Sequence, residues 1–227
     1  LLALRKKVNG HSLSVSYREK LKIVRGRGPW LIDHTGRRYL DTVNNITHVG
    51  HCHPHVVEAL ARQAAELNTN TRYLHGAMPR LAERIAATMP GDLRVVTFVN
   101  SGTEANLMAI QLARHHTGRD RIVVMDAAYH GGLLYFGHGG EALLAPFDFT
   151  RIEFNCTDLD RVDGLGAIDD TVAAVMVEPM MGGAGCIPAT REFLAALRSR
   201  CDATGALLVF DEVMTSRMSA GGVQARL

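Results

Sequence analysis

The spacing of apolar positions changes along the chain. In KIVRGRGPWLI they alternate around a turn-forming G-R-G-P, and IDHTGRRYLD carries a D-x-T-G turn between two further extended runs. This predicts a small β-meander over residues 22–43. From Pro54 the period lengthens: PHVVEALARQAAEL sets Val57, Leu60, Ala61, Ala64 and Leu67 on one helical stripe. PRLAERIAATMPG repeats that pattern and is stopped by Pro90-Gly91. Short, wholly apolar runs follow, separated by helical segments. VVTFV (95–99), RIVVM (121–125), VAAVMVE (172–178) and ALLVF (206–210) read as buried strands, with helices from Thr103 to about His115 and over REFLAALRSRCDATG. Strands apolar throughout and alternating with helices predict an α/β fold, a mainly parallel sheet with helices on both faces. No internal repeat, low-complexity tract or long linker interrupts it.

Composition narrows the function classes. Of the 227 residues 47% are apolar, enough for a sizeable core, and the formal net charge of +2 gives no electrostatic reason to expect nucleic acid or a membrane surface. No apolar run approaches the ~18–20 residues of a membrane span. LLALRKKVNG puts its charges after its apolar part, the reverse of a signal peptide. The expectation is a cytoplasmic protein, and the four scattered cysteines, with no C-x-x-C, suit free thiols in a reducing compartment. The first residue is Leu rather than Met, which implies a missing or processed start, and lysine occurs only at positions 6, 7, 20 and 22.

Chemistry gathers where strands end. In FVNSGTEANLMAIQLAR a strand gives way to a helix after Ser101-Gly102. Ser101-x-x-Glu104 fits a capping box, and the same helix N-terminus, with two hydroxyls and a glycine, fits an anion cradle. The local pattern leaves both open. Tyr129-His130-Gly131-Gly132 forms a loop at the next strand's carboxyl end, where parallel sheets bind ligands; Tyr129 is either a stacking platform or an ordinary loop tyrosine. Glu178 ends a third strand before Pro179 and a flexible or close-approaching M-G-G-A-G, and Asp211 ends a fourth. Four such ends at one edge form a candidate site. HVGHCHPHV crowds His48, His51, Cys52, His53 and His55, but no second Cys/His pair of suitable spacing exists and Pro54 interrupts helical geometry, so a loop leading into a helix is expected rather than a metal site.

Taken in order, N-S-G-T-E-A-N, Y-H-G-G, V-E-P and F-D-E-V-M-T-S-R resemble the class III, pyridoxal-phosphate-dependent aminotransferases. Residues 92–220 are most similar to the branch holding β-amino-acid aminotransferases and glutamate-1-semialdehyde aminomutases. Residues 42–90, with NNITHVGHCHP and LNTNTRYLH, also resemble class III relatives such as ethanolamine-phosphate phospho-lyase. The resemblance implies the fold type I large domain in incomplete form over 66–227, with 1–65 an N-terminal segment belonging to a small domain. It implies a pyridoxal 5'-phosphate site in which Ser101, Gly102 and Thr103 hold the phosphate, Tyr129 and Val213 cover the two faces of the ring, and catalytic Asp211 pairs with the ring nitrogen. Glu178 lies toward the cofactor's hydroxyl side, with His130 adjacent. It further implies a homodimer that moves an amino group from an amino acid, in this branch a β-amino acid, to a 2-oxo acid. The alternatives are an aminomutase or phospho-lyase of the same family, or a cofactor-binding chain without turnover. The family's Schiff-base lysine has no match here: the sequence runs sixteen residues past Asp211, and no lysine follows Lys22. The expectation is therefore the N-terminal part of a longer enzyme, inactive alone.

Overall fold

The D-x-T-G turn forms because the Asp33 carboxylate completes the backbone's hydrogen bonds. Its Oδ1 accepts from the Thr35 amide (2.9 Å), the Thr35 hydroxyl (2.7 Å) and the Arg37 amide (3.0 Å), while Oδ2 accepts from the Tyr39 hydroxyl (2.9 Å). These bonds fold β2 (Trp30–Asp33) onto β3 (Arg38–Leu40). With β1 (Ile23–Arg27) they make a three-stranded antiparallel sheet in the order β1-β2-β3, the expected meander. The computed structural model describes residues 1–9, 15, 17–43, 48–137 and 144–226, which divide into two compact units, Leu1–Tyr73 and Leu74–Leu227. The N-N-I-T part (44–47) of the stretch at 44–54 lies outside the described residues.

The first unit also holds α1 (Leu2–Asn9), which the apolar pattern did not signal, and α2 (Pro54–Glu66). The apolar stripe on α2 forms as spaced, yet Val57, Leu60 and Leu67 remain exposed. In the histidine-rich stretch, His51 Nε2 lies 2.7 Å from Asp41 Oδ2, and His51 pairs with Gly28 of the meander. A side chain at Gly26 would collide with the His51 ring, its Cβ lying 2.6 Å from Cγ. Among the described residues no three His, Cys, Asp or Glu side chains converge as metal ligands, and no helix is long and apolar enough to cross a membrane. All four cysteines are free.

The second unit contains α3 (Ala77–Ala86), α4 (Gly102–Thr117), β4 (Arg121–Met125), β5 (Phe149–Ile152), β6 (Val172–Val177), a short hairpin of β7 (Met180–Met181) and β8 (Ile187–Pro188), α5 (Arg191–Thr204) and β9 (Leu207–Phe210). Gly118 and Gly205 end α4 and α5 in the left-handed conformation. β4, β5, β6 and β9 form one parallel sheet in the order β5-β4-β6-β9. All six residues of β6 are buried, and because successive side chains point to opposite faces, both faces of the sheet are covered at its centre. α4 packs on β6, and α5 on β6 and β9.

Two differences from the apolar pattern stand out. VVTFV (95–99) is not a strand: β5 and β9 are the edges of the sheet, neither pairs with it, and Val95 is 93% exposed. β-branched residues favour an extended backbone, but a strand exists only where a partner completes its ladder. Conversely FTRI, interrupted by polar residues, forms edge strand β5 because it pairs with β4 at every position from Ile122↔Phe149 to Met125↔Ile152.

The Asp33 bonds have a pH signature. Its side-chain bond to Thr35 leads the effects that hold its carboxyl down, from 3.8 to about 2. A depressed folded-state value stabilises above the unfolded one, so its contribution is complete above 3.8 and is lost as the pH falls through about 2. Asp33→Asn is expected to destabilise the meander at neutral pH, with the gap to wild type closing between those values. Fluorescence of Trp30, the single tryptophan, in β2 checks it.

Candidate active site

Strand order fixes where a ligand can enter. The connection from β4 leads outward to β5, and that from β6 outward to β9, so the two connections diverge at the carboxyl edge, the switch point where open parallel sheets offer a ligand crevice. The predicted positions converge there. Asp211 follows β9 directly, with its amide bonded to the Val177 carbonyl at 2.8 Å. Its carboxylate is buried. Oδ2 accepts from Asn106 Nδ2 at 2.7 Å and lies 2.9 Å from His130 Nδ1; Oδ1 accepts from the Val213 amide at 3.1 Å. Burial, the largest single effect, pushes this carboxyl upward; the His130 bond and charge, the Val213 amide and Asn106 together outweigh it and hold the group below the ordinary carboxylate range. Asp211 is therefore a buried anion.

His130 is 1% exposed, stacked edge-on against Phe136, and its Nε2 is buried with no partner among the described residues. Asn106 also donates to the His130 carbonyl at 3.0 Å, so α4, the β4 loop and the end of β9 meet on one amide. The signal for Asn106 was present in the sequence: it is spaced i, i+4, i+7 with Ile110 and Ala113, the buried stripe of α4, where a lone polar residue asks for a partner.

The N-terminus of α4 is capped as the spacing predicts. Ser101 Oγ accepts from the Glu104 amide at 3.2 Å, and Glu104 Oε2 accepts from the Asn100 amide and side chain at 2.7 and 3.1 Å. The Gly102 and Thr103 amides have no acceptor among the described residues. The hydroxyls of Ser101 and Thr103 act as acceptors, the latter from the Gly132 amide at 3.2 Å, and each keeps its proton to donate. The cap thus leaves two amides and two hydroxyl protons at the positive end of a 16-residue helix.

Glycines bring the walls together. Gly131, at φ 116°, lets the loop touch Thr103: a Cβ there would lie 2.2 Å from Thr103 Oγ1. At Gly102 a Cβ would meet Val213 Cγ2 at 3.1 Å, so Val213 sits against the start of α4. Tyr129 and Val213 are about half exposed, and Tyr129 rests edge-on against Tyr135 with centroids 5.6 Å apart. Glu178 is buried, and its two oxygens accept from the Tyr129 amide (3.1 Å) and the Gly182 amide (3.0 Å), tying the β4 loop to the hairpin. Its neighbour in chemistry, Glu212, faces elsewhere, accepting from the Thr215 hydroxyl and the Val223 and Gln224 amides.

The close approach at Gly131 predicts a contrast. Gly131→Ala should cost about 1–3 kcal/mol, because the methyl group meets Thr103 and the backbone is left-handed. Gly132→Ala, with open space around it, should stay within about 0.5 kcal/mol of wild type. Denaturant unfolding of both variants measures the difference.

The family model described as aminotransferase class-III matches residues 13–136 and 148–225. The chain is 42% identical over 211 residues to a beta-phenylalanine transaminase of Variovorax paradoxus, an alignment covering 91% of this chain and 48% of that protein. The crystal structure of a beta-phenylalanine aminotransferase from the same organism superposes with a TM-score of 0.86 at 38% identity, over 99% of this chain and 53% of the other. A transaminase with PLP bound superposes at 0.83 and 30% identity, over 99% and 57%. The chain spans about half the length of the curated relatives it matches. Sequence and fold agree, and the chain belongs to the class-III aminotransferases, a pyridoxal-phosphate-dependent family.

Proposed function

We propose that this chain supplies the pyridoxal 5'-phosphate-binding part of an aminotransferase that passes an amino group from an amino acid to a 2-oxo acid. The observation that carries the reading is the buried, ionised Asp211 in the same crevice as the open N-terminus of α4. The donor set fits the group. A phosphate requires hydrogen-bond donors and positive potential, which Ser101, Gly102 and Thr103 offer. A protonated pyridine nitrogen requires a carboxylate in a site poor in water, which Asp211 offers; the half-exposed Tyr129 and Val213 provide faces for a flat ring.

When bound, the cofactor supplies an electron sink for bonds broken at the substrate's amine-bearing carbon. The residues of this chain act around it. The α4 amides and the Ser101 and Thr103 hydroxyls anchor the phosphate. Asp211, with His130 and Asn106 behind it, holds a proton on the ring nitrogen and keeps the ring electron-poor. Tyr129 and Val213 would cover the two faces of the ring and exclude water from them. Glu178 fixes the Tyr129 loop through its amide and would face the ring's hydroxyl side. The 42% identity to a beta-phenylalanine transaminase supports a β-amino acid as donor.

The same reading assigns residues 1–65 to a small domain and 66–227 to the cofactor domain, supported by the two compact units. It places the protein in the cytoplasm as a homodimer, supported by the four free cysteines and by Val57, Leu60, Met78 and Leu81 left exposed on α2 and α3.

Titrating the 227-residue chain with pyridoxal 5'-phosphate, followed by cofactor absorbance, is expected to show saturable binding. Asp211→Asn should weaken it roughly tenfold or more, the loss of one charge-assisted bond. Absorbance that rises linearly with added cofactor, identical in the two proteins, would refute the reading.

A further inference from the structure

Asn106 is an expensive residue where it stands. It lies inside α4, where asparagine is a poor helix former, on the stripe shared with buried Ile110 and Ala113. An apolar side chain would fit that stripe, whereas an amide placed there must recover the hydrogen bonds it loses to water. It recovers them on Asp211 Oδ2 at 2.7 Å and the His130 carbonyl at 3.0 Å. Both partners only accept, so the NH2 group faces them and the orientation of the amide is fixed.

These bonds make the Asp211 carboxylate unsymmetrical. Oδ2 meets two side-chain donors, Asn106 Nδ2 and His130 Nδ1. Oδ1 meets one backbone donor among the described residues, the Val213 amide. A carboxylate oxygen accepts about two bonds, so Oδ2 is saturated and Oδ1 keeps a lone pair. Rotating the carboxylate would break all three contacts.

We infer that Asn106 is a positioning residue for the proposed reaction, fixing Asp211 so that Oδ1 is the oxygen presented to the cofactor's ring nitrogen. The inference rests on the cofactor reading above, but the geometry it invokes belongs to the chain alone. Of the titratable groups on the elements that meet at Asp211, His130 from the β4 loop bonds it directly, while Glu178 at the end of β6 is held by the Tyr129 and Gly182 amides, Glu104 on α4 by Asn100, and Glu212 by Thr215, Val223 and Gln224.

Two variants test it. Asn106→Leu keeps the size and removes the donor; Asn106→Asp keeps the shape and replaces the donor with an acceptor. The readout is the side-chain carboxyl 13C resonance of Asp211 in the cofactor-free chain during an acid titration, paired with pyridoxal 5'-phosphate binding across the same pH range. Asn106→Leu should raise the Asp211 midpoint by about one pH unit, the worth of one hydrogen bond to a charged group. Cofactor binding should weaken about tenfold, its acid limb moving with the midpoint. Asn106→Asp should raise the midpoint further, because a second carboxylate then faces the first, and it reads the same quantity if the leucine variant fails to fold. An unmoved midpoint and acid limb, with only thermal stability lowered, would overturn the inference and leave Asn106 a packing residue. Because the titration needs no cofactor, a moved midpoint in a chain that never binds pyridoxal 5'-phosphate would uphold the positioning and refute the cofactor reading alone.

Discussion

A buried carboxylate that stays ionised must be surrounded by donors, and Asp211 imposes this requirement on three separate elements. α4 contributes Asn106, the loop after β4 contributes His130, and the turn after β9 contributes the Val213 amide. None of these bonds forms unless the parallel strands stop in register at one edge, which the β4–β6 and β6–β9 ladders ensure. The apolar core can be regarded as the frame that brings these donors to one oxygen pair: β6, buried at every position, holds β4 on one side and β9 on the other. An uncompensated charge at this depth would protonate or take on water, and the electrostatic character of the crevice would be lost.

The carboxylates at the strand ends divide the work. Glu178 accepts from backbone amides that join the Tyr129 loop to the β7–β8 hairpin, and Glu212 accepts from the Thr215 hydroxyl and from the amides of the turn at 223–224. Asp211 alone of the three is held mainly by side chains, those of Asn106 and His130. Glycines complete the arrangement by omission: the loop reaches Thr103 because Gly131 has no Cβ, and Val213 reaches the start of α4 because Gly102 has none.

Much of this was legible in the sequence where local physics decides the outcome. The meander, the four helices from α2 to α5 and strands β4, β6 and β9 follow from periodicity and from their glycine, proline and capping residues, and Ser101 with Glu104 forms the expected box. Legibility failed where a partner decides. VVTFV has the composition of a strand and no ladder, while FTRI has a mixed composition and a full one. The stripe on α2 forms as its spacing predicts, but spacing cannot say what covers it. Asn106 was visible as a polar residue on an apolar face, but its partners are 24 and 105 positions away, a distance no local pattern spans.

The central claim is that Asp211 is placed and charged to keep a proton on the cofactor's ring nitrogen. The most direct measurement is the 15N shift of pyridoxal 5'-phosphate labelled at that nitrogen and bound to the chain at neutral pH. The account predicts the shift of a protonated pyridinium in the wild type, moving to that of the unprotonated ring in Asp211→Ala. An unprotonated nitrogen in the wild-type complex would contradict it.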